Sequence, residues 1–517
     1  MAILERTVEQ DSRPAPSGRV AGMLRRHPAL WVGMLVTAVS YTGAGVPAYW
    51  GDEAASVLSA QRSWSSLVAE LSTVDAVHGL YYVLLHVWID VFGAGEWATR
   101  ALSTVAVGLL AAGVVVLGSR WMDTRTGVIA GLLVMVIPRA SVLSIEARGY
   151  ALAAATAVWI TVLFVALAER GARRRAWLGY AVAVAAGGTL FLYLLLLPLV
   201  HLTLLVSMPG LRARRQSIRR WFVSMMLAGV LSLPILIAAS LQKSQVAFLA
   251  HRGYMSPKGW FISPWFGHAP TAIVMWSLLA VGVVSLLLAR RRRASASPAV
   301  WGLLVWLCGP ALVLVALDVA VSPTYNPRYL SICLGAVALI VAAGAVAVYD
   351  AARTVGGRRG AIAGALAVAL AIGVTAVPEY VRARGPYAKD GGADAQQAAA
   401  LVGSLAARGD TVLYGTGTRP SRAPRLVYRL YPDEFAGLDD PQLRRASEDT
   451  DGLWDELATV ADIAPDLRDG RVWLIETGET GSADSDIAAL ESAGFAQIDR
   501  VVVHRTVIYQ FEKGMPR

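Results

Sequence analysis

Long stretches without formal charge recur down this chain, and short loops crowded with arginine lie between them. The 30 residues 177–206 contain no Asp, Glu, Lys or Arg. A membrane-spanning helix needs about 20 apolar residues, with a range of about 17–25. On this rule spans are placed at 29–48, 100–119, 126–143, 149–168, 177–190, 191–208, 221–241, 271–289, 299–320, 328–349 and 361–378, eleven in all, of which the fifth and sixth are short. With 56% hydrophobic and 16% charged residues over 517 positions, a soluble globular protein is excluded. The expected fold is a polytopic α-helical membrane protein.

The arginines set the expected orientation. Loops 120–125, 169–176, 208–220, 290–298 and 350–360 are Arg-rich, whereas 49–99, 144–148, 242–270 and 321–327 lack Arg runs. Basic loops stay on the cytoplasmic side. The alternation holds only if 177–208 crosses twice, as two short spans. The N-terminus is then inside, and 49–99, 242–270, 321–327 and everything after about 379 are outside. The net charge of +10 therefore reads as topology and not as a nucleic-acid surface. Residues 1–28 read as a disordered cytoplasmic tail ahead of an uncleaved signal-anchor helix. The two cysteines, Cys308 and Cys333, lie within apolar spans and frame neither a disulfide set nor a zinc site.

The membrane part thus runs over 29–379. Its first outer loop, 49–99, is amphipathic, with interfacial helices expected at Glu53–Gln61, Trp64–Leu71 and Leu80–Phe92. The Trp-rich loop 242–270 suits the membrane interface and is a candidate lid. Beyond 380 charge density rises and apolar runs shorten. Strands are expected at Thr411–Tyr414, Val472–Ile475 and Thr506–Phe511, and helices at Ala395–Arg408 and Asp484–Ala493, giving an extracytoplasmic α/β domain over 380–517.

Four outer clusters carry chemistry-bearing residues. Asp52-Glu53 follows the first span. Acids favour a helix N-terminus, but ionisable groups at membrane depth point first to function. His78-Gly79-Leu80-Tyr81-Tyr82 sits in the same loop. Glu146-Ala147-Arg148 caps the third and fourth spans, where the bland alternative is a self-neutralising pair. Tyr325-Asn326-Pro327-Arg328 opens the tenth span, with a snorkelling arginine as the bland alternative. A carboxylate suits a general base for a hydroxyl. Arginine suits a departing phosphate.

The ordered pattern DE…HGLYYVLLHVW…FG…E…R…S, followed by EARGYAL and NPRYL, resembles bacterial glycosyltransferase family 39. It is similar to the wider GT-C superfamily, which includes protein O-mannosyltransferases and lipid A aminoarabinose transferases. The likeness covers roughly the first 380 residues. It implies inverting transfer of a sugar from a polyprenyl-phosphate donor to a glycan, lipid or protein acceptor at the outer face of the cell membrane. By that resemblance Asp52 is the base, Glu53 and His78 line a substrate pocket, and Arg148 and Arg328 hold the lipid phosphate. Tyr81, Glu146 and Tyr325 join them as substrate-binding candidates. Gly79 stands where many members have Pro, and Ala54-Ala55 follow the acid pair, a departure from the protein O-mannosyltransferase motif. Glu96 and Arg100 are expected to form an i,i+4 ion pair. No metal or cofactor is expected. The alternative, a lipid or solute transporter, calls for ionisable residues near the bilayer midplane; Asp318, the main candidate, falls near an outer end.

Overall fold

In hydrocarbon every backbone N–H and C=O must find its partner inside the protein, which makes helices the form these apolar runs take. The computed structural model describes residues 27–170, 173–207, 211–292, 299–478 and 482–513. The tail expected at 1–28 lies outside them up to residue 26. The membrane part contains α1 (Pro28–Tyr41), α2 (Gly51–Gln61), α3 (Trp64–Thr73), α4 (Gly79–Phe92), α5 (Glu96–Trp121), α6 (Thr124–Val136), α7 (Pro138–Ser144) and α8 (Tyr150–Arg170). It continues with α9 (Arg174–Leu190), α10 (Leu197–Ser207), α11 (Leu211–Leu241), α12 (Ala269–Arg292), α13 (Ala299–Ala320) and α14 (Leu334–Arg382).

Among the described residues, six helices are long and apolar enough to cross a membrane, or seven if α6 and α7 count as one span bent by 64°. Pro138 opens α7, and proline disfavours continuing a helix through the residue before it. The outward faces are apolar as well. On α11, Val223 and Val230 are 57% and 62% exposed, a surface that suits lipid and not water.

Two boundaries differ from expectation. The first helix ends at Tyr41 instead of 48, because Gly43, Gly45 and Pro47 end helical propensity early. The break in 177–208 falls at Phe191, as expected, with α9 running through Gly187-Gly188 to Leu190. The spans expected at 328–349 and 361–378 form one helical element, α14, folded back at Gly356-Gly357, with φ +57° at Gly357. A Cβ on Gly360 would lie 2.3 Å from the Ala352 carbonyl oxygen, so glycine is what lets the two arms pack closely.

The C-terminal α/β domain, called the outer domain after its expected side of the membrane, is built on a four-stranded sheet ordered β1-β4-β6-β5, with β1 (Thr411–Tyr414) parallel to β4 (Arg471–Thr477). β5 (Phe495–Val502) and β6 (Thr506–Lys513) run antiparallel. The short hairpin β2 (Leu443–Arg445) and β3 (Glu456–Leu457) stands apart. Side chains alternate across the sheet as a two-residue period requires. Val412, Trp473 and Ile475 pack under α15 (Ala395–Leu405). Leu413, Val472 and Leu474 face the other layer, which includes Leu490 of α17 (Ser482–Ser492). Between them, in chain order, lies α16 (Arg425–Leu430).

One buried carboxylate holds the entry to β6. Asp394 is 1% exposed. Its Oδ2 accepts the N–H groups of His504, Arg505 and Thr506 at 3.1, 2.8 and 2.7 Å, and its Oδ1 accepts the Thr506 hydroxyl at 2.7 Å. Asp394→Ala strands these donors, at about 1–3 kcal/mol for each buried unsatisfied group. Hydrogen exchange should accelerate first at amides 504–506, while exchange in α5 stays unchanged.

Candidate active site

The site is organised by the first turn of α2. Trp50 enters in an extended conformation, and Asp52 and Glu53 occupy the turn that follows, where acids complement the helix dipole. Neighbours on a helix point about 100° apart, so the two carboxylates diverge. Glu53 turns inward and is completely buried. Its Oε1 accepts Arg100 Nε and the Ala147 N–H, both at 2.8 Å. Its Oε2 accepts Arg100 Nη2 at 2.8 Å and Lys389 Nζ at 2.7 Å. Burial alone would raise the Glu53 carboxyl, but Arg100 and Lys389 outweigh it and hold it at about 2.

Arg100 also donates to the carbonyls of Ala44 and Pro47 at 2.8 and 2.7 Å, which fixes the irregular stretch leading into α2. The expected Glu96–Arg100 ion pair is corrected here. Glu96 instead accepts the Tyr431 hydroxyl of the outer domain, and the buried guanidinium of Arg100 takes the bidentate partner on α2. The outer domain also touches α2 directly: a Cβ on Gly51 would sit 2.1 Å from the Ser421 carbonyl oxygen.

Asp52 points the other way and keeps 36% of its side chain exposed. Arg328 Nη1 donates to its Oδ2 at 2.7 Å, and the guanidinium lies 4.6 Å from the centroid of the Trp50 ring. The loop before Arg328 is held by Asp318, whose Oδ1 accepts the N–H groups of Thr324 and Tyr325 at 2.6 Å each. Arg148 closes the third side. It donates to the Asp52 carbonyl at 3.1 Å, to Ser56 Oγ at 3.0 Å and to the Tyr82 hydroxyl at 3.4 Å. Its Nη2 lies 3.0 Å from His78 Nε2. An arginine N–H facing that nitrogen makes it the acceptor and puts the proton on Nδ1. Burial and Arg148 together push the His78 imidazolium down to about 4. Asp52, His78, Arg148 and Arg328 are thus brought together from four separate segments.

The other candidates lie around this core. Tyr81 is 1% exposed and packs in an apolar cluster with Leu67, Tyr82 and Leu85. Tyr325, also buried, donates its hydroxyl to the Gly259 carbonyl at 2.8 Å and so ties the Arg328 loop to 242–270. That Trp-rich segment is fastened again by Gln242 and Gln245, whose Oε1 atoms accept the N–H groups of Ala76 and Asp75 at 2.9 and 3.1 Å. Glu146 is 5% exposed, and its Oε2 has no hydrogen-bond partner among the described residues. It acts electrostatically on Arg328 and Lys389 and makes no side-chain pair with Arg148, so the self-neutralising alternative fails.

Several members of the site escaped sequence reasoning. Ser56 was findable as the residue four after Asp52 on the same helix face. Tyr82 bridges Arg148 and Asp75, its hydroxyl donating to Asp75 Oδ2 at 2.7 Å. Lys389 comes from the far end of the sequence. Its one signal is that it is among only four lysines in a chain that otherwise uses arginine.

No protein-family profile matches the chain, and no curated protein matches it. Solved structures do. The crystal structure of ArnT from Cupriavidus metallidurans bound to undecaprenyl phosphate aligns over 96% of this chain and 98% of its own, at 13% identity and a TM-score of 0.56. The apo form of ArnT gives the same values. The arabinofuranosyltransferase AftD from Mycobacteria aligns over 99% of this chain but 41% of its own, at 15% identity and a TM-score of 0.48. The likeness to ArnT shows that the two chains share a fold.

Two outcomes follow from the charges. Glu53→Gln leaves the buried Arg100 without its counter-charge, and breaking such a pair costs about 3–5 kcal/mol; thermal unfolding in detergent should fall accordingly, and by more than for Lys389→Met. His78 contributes a pH dependence of definite sign. Unfolded, it binds a proton near 6.5, whereas folded it does so near 4. Stability therefore falls as pH drops through that window. His78→Gln should lose less stability than wild type between pH 7.5 and pH 5, by about 1–2 kcal/mol; equal losses would show that His78 is not buried neutral.

Proposed function

We propose that this chain is a multi-pass membrane glycosyltransferase that moves a sugar from a polyprenyl-phosphate donor to an acceptor hydroxyl on the outer face of the cell membrane, with inversion. The observation that carries this reading is the Asp52–Arg328 contact at 2.7 Å, with Arg148 and His78 against the same turn of α2. A partly exposed carboxylate and two arginines are what the reaction asks for. ArnT, which shares the fold, was crystallised with undecaprenyl phosphate, and that lipid phosphate is the donor chemistry an arginine pair suits.

In the proposed step the acceptor hydroxyl gives its proton to Asp52. Its oxygen attacks the anomeric carbon from the face opposite the lipid phosphate. The bond between that carbon and the phosphate oxygen breaks, and the electron pair leaves with the phosphate. Arg328 and Arg148 stabilise the charge that develops there. The planar guanidinium of Arg328 has further donors beyond the nitrogen on Asp52, so it can face base and phosphate together. His78, neutral at pH 7, accepts from Arg148 and orients it.

Glu53 acts as a positioning residue in this scheme: the Arg100–Lys389 node sets the rotation of α2 and so the direction of Asp52. The Arg-rich loops support a cytoplasmic N-terminus, with Asp52 and the C-terminal domain outside, where lipid-linked sugars are the available donors.

Asp52→Asn should fold normally and lose at least about a hundredfold in transfer rate, the lower range for a positioned general base. Turnover at the wild-type rate by folded protein would remove Asp52 as the base. Arg328→Ala should raise the KM for the polyprenyl-phosphate donor; a change confined to acceptor KM would move Arg328 to the acceptor side.

A further inference from the structure

A second recess lies further along the same helix, between α2 and the outer domain. It has a volume of about 210 Å³, and its walls include Leu58 of α2, Thr416 and Thr418 of the loop after β1, Arg425 and Arg429 of α16, and Trp454. The loop leaves the C-terminal end of β1 next to its parallel neighbour β4, the edge at which open α/β sheets bind their ligands.

Its polar wall is built and buried. Arg425 is 4% exposed. Its Nε donates to Asp455 Oδ2 at 2.9 Å and its Nη1 to Asp440, and the guanidinium lies 4.9 and 4.4 Å from the ring centroids of Tyr414 and Tyr428. Arg429 donates to Glu448. The cluster sets two guanidinium groups against three carboxylates, Asp440, Asp455 and Glu448. It has no positive excess with which to hold a phosphate. It offers the part-exposed Arg429 guanidinium and the hydroxyls of Thr416 and Thr418 beside fixed carboxylates, and the hydroxyl groups of a ligand, which donate and accept, complement both. Trp454, half-buried against Leu58 and Leu426, adds an aromatic face for the C–H side of a ring. Leu58 follows Asp52 by six positions on one helix, a rise of about 9 Å.

We propose that this recess is a carbohydrate subsite holding one sugar unit of a glycan acceptor whose reactive hydroxyl lies at Asp52. The proposal rests on the transferase reading above and narrows its acceptor to a glycan. It gives the outer domain a direct part in substrate choice, because the recess draws its walls from that domain and from the helix that carries Asp52.

The test uses the full chain in lipid nanodiscs, with calorimetric titration of three probes: an α-1,6-mannotetraose, an α-1,5-arabinofuranotetraose and chitotetraose. At least one should bind wild type and Asp52→Asn equally. Trp454→Ala should weaken that binding at least tenfold, and Trp454→Phe should retain it. Thr416→Arg, which fills the recess from an exposed position and spares the core, should abolish it. In transfer assays Thr416→Arg should raise acceptor KM while leaving donor KM in place. Failure of all three probes to bind, or binding that survives Thr416→Arg, overturns the subsite. Binding that behaves as expected in a wild-type protein incapable of sugar transfer would overturn the transferase reading instead and leave the subsite standing.

Discussion

Glu53 is the interaction on which the rest of the site depends. An isolated carboxylate at full burial is prohibitive. This one is tolerated because Arg100, Lys389 and the Ala147 N–H use both of its oxygens. Those partners come from α5, from the chain just beyond α14 and from the turn between α7 and α8. A single carboxylate thus joins three parts of the molecule to the first turn of α2. The residue before it on the helix is Asp52, so fixing Glu53 fixes the direction of Asp52. Loss of the node would remove one attachment of the outer domain and loosen the turn that carries Asp52 at the same time. Fold stability and site geometry here share one set of contacts.

The same economy appears in the arginines. Arg148 uses two nitrogens for four neighbours and so locks His78, Tyr82 and Ser56 to the backbone of Asp52. Arg384 does comparable work below the site, donating to the carbonyls of Thr42 and Ser40 at 2.7 and 3.0 Å and to the Ser141 hydroxyl at 2.9 Å. Arg384 at Thr42 and Arg100 at Ala44 and Pro47 hold the unwound stretch between α1 and α2, where backbone carbonyls would otherwise lack partners. Arginine suits that task because its donors are fixed in a plane and its charge persists. Arg328 differs from both. It is partly exposed, and its partner Asp52 is more exposed still, which leaves it a contact that substrate can enter.

Much of this was legible in the chain. Apolar runs marked each of the six described helices that are long and apolar enough to cross a membrane, because in lipid the hydrophobic pattern and the backbone requirement agree. The strands at Thr411–Tyr414, Val472–Ile475 and Thr506–Phe511 were readable from their β-branched and aromatic content, and each appears in the sheet. β5 was missed. Apart from Phe495 and Val501 its residues are exposed, so its polar and charged side chains gave no buried period to follow. Asp52, His78, Arg148 and Arg328 were each visible as charges out of place in apolar surroundings. Their partners were not. Glu96 and Arg100 have the spacing of a helical ion pair, yet Arg100 is directed by tertiary burial toward a residue 47 positions earlier. Lys389 lies 336 positions from Glu53, a separation no local pattern encodes.

The placement of the outer domain follows from that distance. A domain joined to the membrane part by one linker would be free to reorient, yet this one is fastened beside Asp52 at several points. Lys389 reaches Glu53, Tyr431 reaches Glu96, and Arg62, at the end of α2, donates to the carbonyls of Thr450 and Gly452. Asp390, next to Lys389, is bound in turn by Arg422 at 2.8 Å and Arg505 at 3.4 Å. The lysine that completes the node therefore belongs to a segment that the outer domain itself holds in place. The direction of Asp52, the proposed base, depends on Glu53 and through it on Lys389, and is fully set only when that domain is docked. Assembly of the α/β domain onto the membrane part is then a condition for a competent site and not an accessory to it.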